Sequence, residues 1–269
     1  MIDAIRLEGV CKRFHYPTIP RRATLKDIAI RTMRLQRGGT ATVEALKNVS
    51  FSVERSSTLG VIGRNGSGKS TLMRILAGIL KPDAGIVETS GIVAPLLALG
   101  TGFHPELTGR EGTRIELFTL GINPAQAEEL MDEIVAFSEI GDFIDAPVRT
   151  YSVGMLMRLA FSVAICVNPN ILLLDEILAV GDEGFARKCY ETIRDFAARG
   201  KTIVIVTHAA DIIESWCDTA LWLDGGEVAG LGDPHVVVAA YHALTGQSAP
   251  KPAQYPFNLP KTAGLHGID

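Results

Sequence analysis

Six short segments are almost wholly apolar or alternate apolar with polar residues: IRLEGV from position 5, ALKNVSFSV from 45, TLGVIG from 58, ILLLDE from 171, TIVIVTH from 202 and TALWLDGGEV from 219. Runs of this length predict strands, and the uninterrupted ones predict strands covered on both faces. Between them, apolar residues recur at helical spacing in STLMRILAGIL (70–80), PAQAEELMDEIVAFSEI (124–140), VGMLMRLAFSVAICV (153–167), FARKCYETIRDFAARG (185–200) and AADIIESWC (209–217). Buried strands alternating with helices predict an α/β fold on a parallel-rich sheet. Residues from about 100 to 167 carry no convincing strand pattern and predict a helical subdomain inserted into that sheet. The stretch 246–269 is rich in Pro and Ala without periodicity and predicts an extended tail.

One segment breaks this rhythm. HYPTIPRRATLKDIAIRTMRLQRGGT, residues 15–40, is far longer than a hairpin loop. Positions 21–37 hold six Lys or Arg against one acid, with Leu25, Ile28, Ala29 and Met33 near one helical face. Two readings follow: a solvated surface helix, or a basic amphipathic helix lying against an anionic membrane surface.

Composition narrows the picture. A chain of 269 residues with 47% hydrophobic positions can build a sizeable core. Its net charge of −4 argues against a nucleic-acid-binding protein. The four cysteines (Cys11, Cys166, Cys189, Cys217) include no C-x-x-C pair, so neither a disulfide frame nor a zinc site is expected. The first residues lack the charged-then-apolar layout of a leader, and no apolar run reaches the ~20 residues of a membrane span.

The strongest chemical signal is VIGRNGSGKST, residues 61–71. A buried strand delivers Gly63, a glycine-rich turn follows through Arg64, Asn65, Gly66, Ser67 and Gly68, and Lys69-Ser70-Thr71 opens a helix. The glycines let backbone N–H groups curl around phosphate oxygens. Lys69 suits the β/γ-phosphates and the Ser70 hydroxyl suits Mg²⁺. ILLLDEILAVGD (171–182) adds an apolar strand ending in two carboxylates. Asp175 fits a contact to the Mg²⁺, and Glu176 fits the general base or water-orienting group for attack on a γ-phosphate. His208 directly follows another buried strand. It is either a structural residue there or a group reaching the γ-phosphate or attacking water. In TYSVGMLMR (150–158), Ser152 and Gly154 precede an apolar helix, a second place suited to an anion.

Taken in order, the phosphate loop, YSVGM, LLLDE and VTH resemble the nucleotide-binding subunit of ATP-binding cassette (ABC) transporters, over about residues 4–245. The resemblance implies a P-loop NTPase cassette with a RecA-like mixed-sheet core, an N-terminal antiparallel β subdomain and an inserted helical subdomain. It also implies ATP and Mg²⁺ as cofactors and a head-to-tail dimer of two copies. In that dimer Ser152 and Gly154 would cap the ATP held by the partner, with Asp182 in a loop crossing the interface. An adenine-stacking aromatic is expected in KRFHYP, with Phe14 favoured and Tyr16 as alternative. Val153 stands where the family has a second small residue, and Met155 where it has a polar one. The glutamine the family carries where core meets helical subdomain is absent, since positions 97–99 are Leu97, Ala98 and Leu99.

LGTGFHPELTGREG, YSVGMLMRLAFSVA and AVGDEGFARKC narrow the likeness to ATPase subunits of bacterial polysaccharide exporters, which move O-antigen, capsule or teichoic acid chains. Such subunits share the long insertion before the phosphate loop. Some add a carbohydrate-binding domain, which is not expected in 246–269. The function implied is ATP hydrolysis that drives lipid-linked polysaccharide through a separate membrane permease, from the cytoplasmic face of the inner membrane. The alternatives are a non-transport cassette ATPase with a mechanical or regulatory role, or a cassette serving another substrate.

Overall fold

β1 (Asp3–Pro17) and β2 (Thr40–Glu54) run antiparallel as one long ribbon. The computed structural model describes residues 3–17, 40–97, 100, 102–175 and 182–246; the basic stretch 21–37, Glu176 and the tail from 247 lie outside the described residues. β3 (Thr58–Ile62) enters a second sheet, and β4 (Ala84–Thr89) returns to the free side of β1 to give a three-stranded antiparallel sheet, β2-β1-β4. β5 (Val93–Leu96), β6 (Ile171–Asp175), β7 (Thr202–Val206), β8 (Thr219–Asp224) and β9 (Glu227–Gly232) complete the second sheet in the order β5-β6-β7-β3-β8-β9. Pairing is parallel from β5 to β8, and β9 closes the edge antiparallel.

The segment read as one strand from 219 is therefore a hairpin. Gly225 and Gly226 both take positive φ, which reverses the chain between β8 and β9. β4 and β5 escaped the apolar-run reading. β4 is exposed along almost its whole length, and β5 has four residues including Pro95.

α1 (Lys69–Leu76) follows the phosphate loop. From 102 to 167 the described residues form no strand, only an isolated bridge between Thr108 and Pro147. They form α2 (Gly109–Thr119), α3 (Pro124–Ser138), two short 3₁₀ turns and α4 (Val153–Cys166). Capping boxes start two of these helices: Thr108 with Glu111 at α2, and Asn123 with Gln126 at α3. α5 (Glu183–Ala198), α6 (Ala210–Trp216) and α7 (Pro234–Thr245) complete the chain.

Alternation along the parallel strands feeds two cores. Leu59, Val61, Leu173 and Val204 pack with Leu72 and Met73 of α1 and with Ile5 and Phe51 of the antiparallel sheet. Ile62, Leu172, Leu174 and Ile205 face the other way, toward Phe161 of α4, Phe185 and Ile193 of α5, and Trp216 of α6. β3 and β7 are buried at all five positions, which is why they read as unbroken apolar runs. The result is three layers, with the central strands ending at one edge.

Candidate nucleotide-binding site

The loop between β3 and α1 leaves the middle of the sheet, since β3 lies between β7 and β8. Gly68 is the N-cap of α1 at φ +107°, and no side chain caps the helix. A Cβ at Gly68 would sit 2.4 Å from the Ala45 carbonyl oxygen, so the loop turns against β2 where only glycine fits. The uncapped first-turn N–H groups are left for an anion. Ser67 is held by its backbone: its N–H donates to the Arg64 carbonyl (3.1 Å) and its carbonyl accepts from Gly226 (3.1 Å). The Ser67 hydroxyl is buried and has no hydrogen-bond partner among the described residues. Lys69 is 7% exposed, and its Nζ donates to the carbonyls of Gly63 (2.6 Å) and Arg64 (3.1 Å). The ammonium is thus folded over the loop, facing the concavity that the N–H groups line.

A cleft of about 390 Å³ opens above this loop. Its floor is Asn65, Gly66, Gly68, Lys69, Ser70 and Thr71. Phe14, Val43 and Ala45 form one wall, and Asp175 and His208 stand on the other side. The sheet explains the last pair: Asp175 ends β6 opposite Val206, the last residue of β7, and His208 follows two residues later. Phe14 is 38% exposed and faces Val43 across the ribbon, whereas Tyr16 pairs with Ala41 and does not line the cleft. Gly63 and Ser67 lie buried below the floor. Val43 and Ala45 were not expected from sequence. Their signal was the register of β2, which sets Val43 beside Phe14.

The donor set suits a cation shared with phosphate. Among the described residues no group of three or more His, Cys, Asp or Glu could hold a metal. Ser70 and Asp175 do line the same cleft. Mg²⁺ is commonly held this way, by one or two protein oxygens plus substrate phosphates rather than by a protein cage.

A second cleft of about 550 Å³ shares no lining residue with the first. Ser152, Val153, Gly154 and Met155 line it together with Arg158 and Asp182. Ser152 caps α4, accepting the Met155 N–H at 3.1 Å, and Val153 is 71% exposed. Asp182 caps α5 through the Phe185 N–H at 3.0 Å. That hydrogen bond, with Arg158 nearby, holds the Asp182 carboxyl below the usual carboxylate range. Arg158 joins the parts: its guanidinium pairs with Asp182, donates to Glu139 (3.1 Å) and lies 4.8 Å from the Phe185 ring centre. Lys188 completes the network on Glu139 at 2.8 Å. Sequence reasoning passed over Arg158, whose signal is a single cation inside the otherwise apolar run of α4.

A glycine-rich phosphate loop from a central parallel strand, a carboxylate ending the next strand but one, and a separate Ser-Gly helix start define a phosphate-loop ATPase cassette. A family model described as "ABC transporter" matches residues 46–179. The chain is 46% identical over 197 residues (73% of this chain, 80% of the relative) to an O-antigen export system ATP-binding protein, RfbB, of Klebsiella pneumoniae. It is 48% identical over 243 residues to the protein of the same name from Myxococcus xanthus, a match covering 89% of this chain and 56% of that relative. The chain therefore spans little more than half of the Myxococcus protein's length. Among solved structures, the ATP-binding cassette MJ0796 in a dimeric post-hydrolysis state with ADP and Pi superposes with a TM-score of 0.64 at 20% identity, over 86% of this chain and 98% of that one. The chain belongs to the ABC transporter family and carries that family's ATP-binding cassette.

Proposed function

We propose that this chain is the ATP-hydrolysing subunit of an exporter of lipid-linked polysaccharide, working as a head-to-tail homodimer on a separate integral membrane permease. The observation that carries the export reading is the 46–48% identity to two O-antigen export ATP-binding proteins. The dimer reading rests on the two clefts. Ser152 and Gly154 line a cleft that their own chain's phosphate loop does not reach, so a second copy supplies the nucleotide they cap. Its place in this reading is the cytoplasmic face of the inner membrane, and among the described residues no helix is long and apolar enough to cross a membrane.

Each residue then has one task. Phe14 stacks on the adenine, with Val43 as its neighbour. The N–H groups at the start of α1 and the Lys69 ammonium bind the β- and γ-phosphates. Lys69 exchanges its carbonyl partners at Gly63 and Arg64 for phosphate oxygens. Ser70 and Asp175 would hold Mg²⁺, which would supply charge neutralisation to bound phosphate. Glu176, next after Asp175, takes the proton of the attacking water, and His208 holds that water or the γ-phosphate from the end of β7. Ser152 and Gly154 of the partner copy close over the γ-phosphate, and Asp182 crosses the interface beside them.

The test is genetic and direct. Deleting the gene in its host should abolish surface polysaccharide and leave the lipid-linked chain inside. Wild-type protein should restore export, and Glu176→Gln should not. Unchanged surface polysaccharide after deletion refutes the export reading.

A further inference from the structure

The amino ends of the parallel strands carry a third concavity, of about 640 Å³, that the nucleotide chemistry does not use. Asn170 precedes β6 and Thr202 opens β7, so the groove lies at the end of the sheet opposite Asp175 and His208. One strand length, about 16 Å at ~3.3 Å per residue, separates it from the nucleotide cleft. Its other walls are the β2–β3 turn with Arg55 and Ser56, the end of β4, and the α5–β7 connection with Arg199 and Lys201.

The walls are tied across long sequence separations. Ser56 donates its N–H to Thr202 Oγ1 (3.1 Å) and its hydroxyl to the Gly200 carbonyl (2.8 Å). The Ile92 N–H donates to Asn170 Oδ1 (2.9 Å). These bonds engage the side-chain oxygens of Asn170 and Thr202 in the wall itself. What remains toward the groove is one-sided. No Asp or Glu lines it, and among the described residues none of its three cations pairs with a carboxylate. Arg55 makes no hydrogen bond among them, and the Asn170 amide nitrogen has no partner. Arg199 Nε donates to the Asp195 carbonyl (3.2 Å) while its guanidinium lies 4.9 Å from the Phe196 ring centre, and Lys201 Nζ donates only to the Asn168 carbonyl at 3.4 Å.

Three positive charges held around one concavity with no counter-charge repel one another, in a chain whose net charge is −4. Two guanidiniums, an ammonium and an amide N–H₂, beside the hydroxyls of Ser56 and Ser90, make a donor-rich lining without a carboxylate, the complement of phosphate oxygens. The volume falls in the ~300–1,000 Å³ range of small-molecule clefts and exceeds what a single phosphate fills. We propose that this groove binds a phosphate-bearing anion, carrying a diphosphate or two phosphate groups, through Arg55, Arg199, Lys201 and Asn170. The phosphate comes either from a soluble molecule or from a lipid headgroup. The proposal goes beyond the export reading and does not depend on it.

The experiment uses the full chain carrying Lys69→Ala, so that the phosphate loop does not take up the probe. Inorganic pyrophosphate is titrated by calorimetry. Vesicles of phosphatidylcholine, with and without phosphatidic acid, are tested by flotation. The comparison chain adds Arg55→Gln, Arg199→Gln and Lys201→Gln, and the same triple substitution in the wild-type background should leave basal ATP hydrolysis unchanged, which verifies folding. Pyrophosphate binding that weakens roughly tenfold or more in the triple variant, without acid-dependent flotation, supports the site with a soluble source. Flotation on phosphatidic acid that the triple variant loses supports it with a lipid source. Binding of neither probe, or binding the triple variant keeps, overturns the proposal.

Discussion

Gly66 and Gly68 stand two residues apart in the phosphate loop, both at positive φ (80° and 107°), yet they meet different surroundings. This makes a controlled pair of alanine substitutions. Each alanine must accept a backbone conformation that costs an L-residue about 1–2 kcal/mol. Each recovers about 0.4–1 kcal/mol by stiffening the unfolded chain. The second contribution is common to both variants, and the first is larger at Gly68, whose φ lies further from the left-handed well, so it adds to the difference in the same direction. At Gly66 a Cβ would have nothing within 4 Å, so Gly66→Ala should destabilise the nucleotide-free chain by only about 1 kcal/mol. At Gly68 the Cβ would lie 2.4 Å from the Ala45 carbonyl oxygen and 2.9 Å from Leu46 Cδ2, where ordinary contact starts at 3.4 Å. The loop and β2 must separate by 3.4 − 2.4 = 1.0 Å, and overpacking of this kind costs about 1–3 kcal/mol. The expected difference between the variants is therefore about 1–3 kcal/mol, read as a lower urea midpoint for Gly68→Ala at unchanged slope. Because Ala45 also walls the nucleotide cleft, Gly68→Ala should weaken nucleotide binding as well. Equal midpoints for the two variants would refute the steric argument.

Glu176→Gln should keep ATP binding, slow phosphate release by ~10²–10⁴ and accumulate an ATP-bound dimer on a sizing column; wild-type turnover removes Glu176 from its role. Mixing Gly154→Leu chains with Lys69→Ala chains should restore partial hydrolysis, since each heterodimer keeps one composite site; a closed dimer with Ser152 beside only its own chain's nucleotide refutes the sharing. Neutralising Arg31, Arg34 and Arg37 should lower polysaccharide export at near-normal ATPase of the isolated subunit; unchanged export leaves the segment a solvated face. Burial pushes the Cys166 and Cys189 thiols up to about 12 and raises Cys217 too, so little thiolate exists there at neutral pH. Iodoacetamide at that pH should therefore label half-buried Cys11 first and the other three only on unfolding, as mass spectrometry would record.

The chemistry was more legible than the packing that frames it. The phosphate loop announces itself because a buried strand, three spaced glycines and Lys-Ser-Thr each answer one physical need. β3, β6 and β7 were readable because both faces are covered. α2 was not, because the residues it buries are Gly109, Gly112 and Thr113 with only Leu117 apolar, so no hydrophobic stripe exists. Its glycines do a different job: a Cβ on Gly112 would meet the Phe103 ring at 2.6 Å, and one on Gly109 the Tyr151 hydroxyl at 2.1 Å. Arg158 was illegible for another reason. Glu139 and Asp182, the groups that give it meaning, come from two other elements, and no spacing rule links them.

Strand order also governs how the molecule comes into being on the ribosome. β3 is synthesised before both of its sheet neighbours, β7 and β8, which lie about 140 and 160 residues downstream. At ~5–20 residues per second, both edges of a fully buried, mostly apolar strand wait on the order of ten seconds or more for a partner. The antiparallel sheet can pair meanwhile, since β1, β2 and β4 are already made, but its core and that of α1 still lack Leu173 of β6 and Val204 of β7. Thr58–Ile62 is then the nascent chain's exposed adhesive, and a slowed or truncated product ending before β7 should be a chaperone client rather than a half-working ATPase. The glycine-rich loop after β3 is translated well before the two strands that fix β3 in the sheet.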